Sequence, residues 1–273
     1  MPDRLAALGP YFAVGRHDTS VPPDGQWQPL RVLVDSVEPL RHRAEQVRSA
    51  LAAGSGEMIE LKVAASVAHL GLVARLVAPA FGAAVLDARL LELDEARWQP
   101  VLGGPAPLSL SEGALEGVPY DGPLVLALGR TWQQGPVRGL AEQARALSVS
   151  PKVATGNVAS AVNGAAVMLA RTRPDLARRA LAMATGLLGG GVLEGSSEGE
   201  PGKNFRRLSC CLIYRAAPRG PRVVCGDCVL VAPPRAGFGC GAAPCALCSH
   251  RYCVASGRQR RLPFWGPSRL VRG

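Results

Sequence analysis

Glu57-Met58-Ile59-Glu60-Leu61-Lys62-Val63-Ala64-Ala65-Ser66-Val67-Ala68-His69-Leu70-Gly71-Leu72-Val73-Ala74-Arg75-Leu76-Val77-Ala78 reads as one long helix, apolar nearly all round. A helix without a wet face belongs inside a sizeable core. Other segments must wrap it, and a helix-dominated fold follows. The apolar character runs on from Val63 to Leu86, interrupted by His69, Arg75 and Pro79. A membrane-spanning helix wants about 20 predominantly apolar residues, so the expectation is a buried helix and no membrane span. The helix is expected to reach Ala78, with a second apolar run from Pro79 to Leu91. Buried polar groups need partners. His69 is therefore read as a hydrogen-bonded core histidine and Arg75 as a paired or snorkelling arginine. The functional alternative is that Arg75 faces a substrate cleft.

Upstream, Leu5 to Leu8 makes a short helix, and Val21-Pro22-Pro23-Asp24-Gly25 is turn chemistry. Pro39 opens a helix to about Ala53, with Leu40, Ala44, Val47 and Leu51 on its apolar face. Arg41, Arg43, Glu45 and Arg48 are assigned to its wet side, and Gly54-Ser55-Gly56 ends it.

Downstream, Leu102 to Leu110 reads as an extended edge or loop, Leu124 to Leu128 as a strand, and Arg138 to Leu147 as a short helix. Ser150-Pro151 combines an oxygen-bearing cap with proline at the first helical position, starting a helix that runs to about Thr172. Its small residues let another helix approach closely, and Asn157 and Asn163 are expected to bond across to neighbours. Another helix runs from Pro174 to Leu188, with Arg178 and Arg179 solvated. The fold class expected is α+β, helix-dominated, with a small antiparallel sheet and a C-terminal cluster-binding loop.

Chemistry concentrates further on. Ser209-Cys210-Cys211-Leu212-Ile213-Tyr214-Arg215 is followed, after a loop, by Cys225-Gly226-Asp227-Cys228-Val229. Thiolates select iron–sulfur clusters, zinc and copper(I). Adjacent cysteines make a strained disulfide, because a normal bridge wants the two Cα atoms further apart. Zinc sites commonly use two Cys-x-x-Cys hooks, and only Cys225 and Cys228 form one. Iron–sulfur, zinc and unligated buried cysteines all stand open on chemistry alone. Residues 205–216 alternate like a strand, which would point Cys210 and Cys211 to opposite faces. For both to hold one cluster, the strand must end or distort there.

The pattern Cys-Cys, loop, Cys-x-x-Cys resembles the C-terminal signature of the FhuF-type ferric-siderophore reductases. The flanks that agree are Arg207-Leu208 and Leu212-Ile213-Tyr214-Arg215. A looser likeness covers Lys152 to Leu193 and Val63 to Leu86. The loop from Leu212 to Val224 is a few residues longer than the family's. The resemblance implies a cytoplasmic protein with a [2Fe-2S] cluster held by Cys210, Cys211, Cys225 and Cys228. It also implies one-electron reduction of a ferric siderophore to release Fe(II). The chain carries no P-loop, since Asn204 stands where Ser or Thr would hold magnesium, and no G-x-G-x-x-G after a strand. An electron donor protein or small reductant is therefore implied. The alternatives are a structural zinc-binding interaction module and a cluster-based redox sensor.

All eight cysteines lie after residue 209, and Met1-Pro2-Asp3-Arg4 does not open a secretory signal. Clustered thiols in a chain read as cytosolic favour metal over disulfides. Of the net charge of +10, seven arginines lie in residues 232–273, which carry no acid. The body is only mildly basic, and no nucleic-acid partner is expected. The organisation expected is a helix-rich body over 1–204, a cluster-binding segment over 205–231, and a disordered tail over 232–273. Within that tail Cys240, Cys245, Cys248 and Cys253 have spacings that could bind zinc.

Overall fold

The computed structural model of the chain describes residues 1–216 and 224–230. In chain order its elements are α1 (Pro2–Ala6), β1 (Gly15–His17), β2 (Gln28–Pro29), α2 (Val32–Asp35), α3 (Glu38–Ser55), α4 (Leu61–Asp87), β3 (Arg89–Leu90), β4 (Arg97–Trp98), β5 (Leu108–Ser111), α5 (Glu112–Glu116), β6 (Val118–Pro119), α6 (Leu124–Gln134), α7 (Pro136–Ala146), α8 (Pro151–Thr172), α9 (Ala177–Leu188), β7 (Ser197–Glu198) and β8 (Arg206–Arg207). Helices dominate and the sheets are small. The four-stranded sheet has the order β1-β5-β4-β2; β3 pairs with β6, and β7 with β8. Every pairing is antiparallel except β1 with β5, which is parallel.

The helix α4 is the axis of the core, as its composition demands. It packs most extensively on α8 and next on α3, with α6, α7 and α9 also against it. By length and composition α4 and α8 could each cross a membrane, but most of each lies buried inside the described residues. The small residues of α8 permit its close approach. Ser150 caps that helix, its Oγ accepting from the Val153 N–H. Gly56 closes α3 in the left-handed region that glycine enters without penalty.

Arg75 belongs to the core rather than to a substrate cleft. It donates to the carbonyls of Ala106 and Tyr11, each at 2.7 Å, and to that of Ala13. It thereby ties the N-terminal segment and the approach to β5 onto α4. Burial lowers its pKa to about 10, and it stays charged at neutral pH.

Several expectations are corrected. Glu57 to Glu60 precede α4, and the helix continues through Pro79 to Asp87. Proline removes one helical hydrogen bond and costs about 3 kcal/mol in a helix interior. Burial of Phe81, Val85 and Leu86 outweighs this, at about 1.5–3 kcal/mol for each large side chain. Leu124 to Leu128 are the start of α6, not a strand. Ala127, Leu128 and Trp132 are buried while Leu126 is exposed, a helical spacing rather than a strand alternation. Arg43 is buried and donates to the Val101 carbonyl at 2.9 Å, so it does not sit on the wet side of α3. β5 lies between β1 and β4 and is not an edge. Residues 231–273 lie outside the described residues, and with them the expectations for the tail and its four cysteines.

Candidate metal centre

The cysteine-bearing segment sits where the start of α4, the end of α3 and one side of α8 meet. Its strand is only β8, held to β7 by pairs Ser197 with Arg207 and Glu198 with Arg206. The extended run expected over 205–216 therefore stops at Arg207. Leu212 takes a φ of +69°, a left-handed conformation unusual for a branched residue, and a single 3₁₀ turn follows over Ile213–Ala216. The chain thus bends between Cys211 and Ile213, as the sharing of one site by both cysteines requires. Leu212, Ile213 and Ala216 pack on Ile59, Val63, Leu51 and Ala52, and Arg215 pairs with Glu60 at 2.8 Å.

The second hook is a tight turn in which the Cys228 N–H donates to the Cys225 carbonyl at 3.2 Å. Asp227 anchors it twice. Its carbonyl accepts from the Arg207 N–H at 3.1 Å, and its carboxylate from Ser160 Oγ of α8 at 2.8 Å.

Cys211, Cys225 and Cys228 are buried in one cluster with Val224, and Cys210 is half-buried beside them. The Sγ atoms of Cys211 and Cys225 stand 3.5 Å apart. Two sulfurs bound at about 2.3 Å to one tetrahedral metal lie about 3.8 Å from each other, so this separation suits a pair sharing an ion. All four cysteines are free thiols. Backbone N–H groups reach the sulfurs from Leu212 to Cys210 at 3.3 Å and from Leu230 to Cys228 at 3.4 Å. The Ile213 N–H serves Cys211.

The thiols do not ionise independently. Cys211 is held well below the usual thiol range by hydrogen bonds from Cys210 and Cys225, helped by the Arg207 guanidinium. Cys210 and Cys225 are pushed up, first by donating to Cys211 and then by burial. One thiolate is stabilised here, and each further one costs more. Four thiolates in this space need cationic compensation, which iron or zinc supplies. Among the described residues no three of His, Cys, Asp and Glu converge on one point. The 3.5 Å separation of Cys211 and Cys225 suits one shared ion, zinc or iron alike.

Behind the thiols lies a polar network that joins Arg207 to Asn157 and His69, the two core groups expected to find partners. Arg207 is 0% exposed. Its Nη1 donates to Asn157 Oδ1 at 2.7 Å and its Nε to the Ser209 carbonyl at 3.2 Å. Asn157 Nδ2 in turn donates to the Ser66 carbonyl and to His69 Nδ1, each at 3.1 Å. His69 therefore carries its proton on Nε2. Burial, with the Arg207 charge adding to it, lowers its pKa from 6.5 to about 4. The signal for Arg207 was present in the alternation that buries Phe205 and Arg207 together while Leu208 is exposed. Arg206 takes the opposite side and pairs with Glu198 at 2.6 Å. Asn163 bonds as expected, accepting from the Gly202 N–H at 2.9 Å.

No protein-family model matches the chain, and no curated protein matches it either.

Proposed function

We propose that the chain is an iron–sulfur protein that holds a [2Fe-2S] cluster on Cys210, Cys211, Cys225 and Cys228 and reduces a ferric siderophore by one electron. The observation that carries this reading is the buried Arg207 guanidinium beside the thiols. Among the described residues it forms no salt bridge to a carboxylate, and its Nη2 has no hydrogen-bond partner. A buried charge without an opposite charge is costly, and an anionic metal–thiolate centre answers it. Such a cluster, when bound, supplies reversible one-electron transfer.

The chain's own residues set the conditions. Arg207 and the N–H donors of Leu212, Ile213 and Leu230 favour added negative charge at the sulfurs, which raises the potential. Burial of three of the four cysteines keeps water from them. Asn157, Ser160 and Asp227 fix both hooks to α8. On the substrate, the hard oxygen ligands of a siderophore hold Fe(III) tightly and Fe(II) far less so. One electron from a donor protein or small reductant therefore releases the metal, in the cytoplasm where the resemblance puts the chain. The test is single-turnover reduction of a ferric hydroxamate by the chemically reduced protein. Oxidation of one protein equivalent should match one equivalent of Fe(II) trapped. A cluster that stays reduced in the presence of the chelate contradicts the assignment and favours a sensor.

A further inference from the structure

Of the four assigned cysteines only Cys210 is not buried, so an electron from outside reaches the centre most directly there. Two leucines border that approach. Leu208 stands two residues before Cys210 and Leu230 two after Cys228, each 46% exposed. The two hooks run side by side. The Arg207 N–H donates to the Asp227 carbonyl at 3.1 Å, and Arg206 Nη1 to that of Val229 at 3.4 Å. Apolar side chains scattered singly over a surface need no explanation, but this pair brackets the accessible sulfur.

Charge says what fits against them. Among the described residues the charges at this edge are balanced: Arg206 pairs with Glu198, Arg215 with Glu60 and Lys203 with Glu200. The chain continuing from Leu230 breaks the balance. Residues 231–273 bring seven arginines and no acid, tethered beside a leucine whose N–H reaches Cys228 Sγ at 3.4 Å. A partner arriving here meets a strongly positive segment, and complementary charge steers such encounters. A hydride carrier delivers electrons in pairs, and the chain has no nucleotide fingerprint to hold one. A small apolar contact beside a steering charge suits transient electron-transfer encounters, which bury little surface.

We infer that the Cys210 edge docks an acidic one-electron donor protein, with Leu208 and Leu230 against it and the arginines of 232–273 steering it. The inference rests on the iron–sulfur reading and adds the partner to it.

The probe is reduced plant-type ferredoxin, an acidic one-electron carrier, mixed with the cluster-loaded full-length chain while cluster absorbance is followed. Dithionite, which needs no docking, is the control. The ferredoxin rate should fall at least tenfold between about 50 and 500 mM salt. L208E, which sets a carboxylate against an acidic partner, should slow it about tenfold and leave the dithionite rate unchanged. L126E, at a leucine of α6 that is 58% exposed, should do neither. Replacing the seven arginines with glutamine should remove most of the salt dependence. Reduction by dithionite, with a ferredoxin rate indifferent to salt and to L208E, overturns the docking site and leaves the iron–sulfur reading standing. A protein that dithionite does not bleach overturns both. If a DNA duplex binds the chain while the seven-glutamine variant keeps the full ferredoxin rate, the segment serves nucleic acid and the proposal fails.

Discussion

Arg207 Nη1 lies 2.7 Å from Asn157 Oδ1 with both residues fully buried, and this bond fastens the cysteine-bearing segment to the core of the helical body. The same Asn157 bonds back to α4 through Ser66 and His69. One chain of polar contacts thus runs from the central helix to the thiols.

R207Q should destabilise the protein by about 2–4 kcal/mol, because it removes a charged hydrogen bond and strands buried acceptors. Loaded R207Q should show a more negative cluster potential than the unsubstituted protein, by potentiometric titration. R206Q, which loses the pairing with Glu198 and the 3.4 Å bond to the Val229 carbonyl, should cost about 1 kcal/mol and move the potential less.

Gly156 faces the cysteine segment. An added Cβ would overlap Ser209 Oγ and stand 3.5 Å from Ser209 Cβ. G156A can be met by rotating that hydroxyl, but G156V cannot. G156V should cost about 1–3 kcal/mol and reduce iron content. At Gly71, within α4, an added Cβ meets nothing within 4 Å. G71A should therefore raise stability by about 0.5–1 kcal/mol. Chemical denaturation with iron analysis measures all three.

His69 gives a defined pH dependence. Its folded pKa is lowered from 6.5 to about 4, so between these values the unfolded state binds the proton that the folded state excludes. The stability is fully present above pH 6.5 and falls as pH drops towards 4, by up to about 3 kcal/mol. Urea midpoints at pH 7.5 and 5 should show this loss, and H69Q should have a smaller one.

Much of this architecture was legible in the residues. Ser150-Pro151 marked the start of α8 and Gly56 the end of α3 because caps and left-handed turns are local chemistry. Arg75 and Asn157 were readable as bonded core groups because an apolar helix leaves them nowhere else to go. Pro79 misled because tertiary burial overrides a local helix breaker. Leu124 to Leu128 misled because five apolar residues fit either period until Trp132 is included. Arg43 misled because its partner, the Val101 carbonyl, is distant in sequence. At the site, the cysteine spacing was visible, but the roles of Arg207, Ser160 and Glu60 depend on contacts made only when α3, α4 and α8 assemble.

C211S or C228S should abolish the visible absorption while the far-ultraviolet dichroism of the helical body persists. C245S should leave the absorption unchanged, since Cys245 is not assigned to the centre.

The most direct measurement is metal and sulfide analysis of protein purified without oxygen. The account predicts a reddish-brown protein with about two irons and two acid-labile sulfides per chain. A colourless protein containing zinc and no sulfide contradicts it.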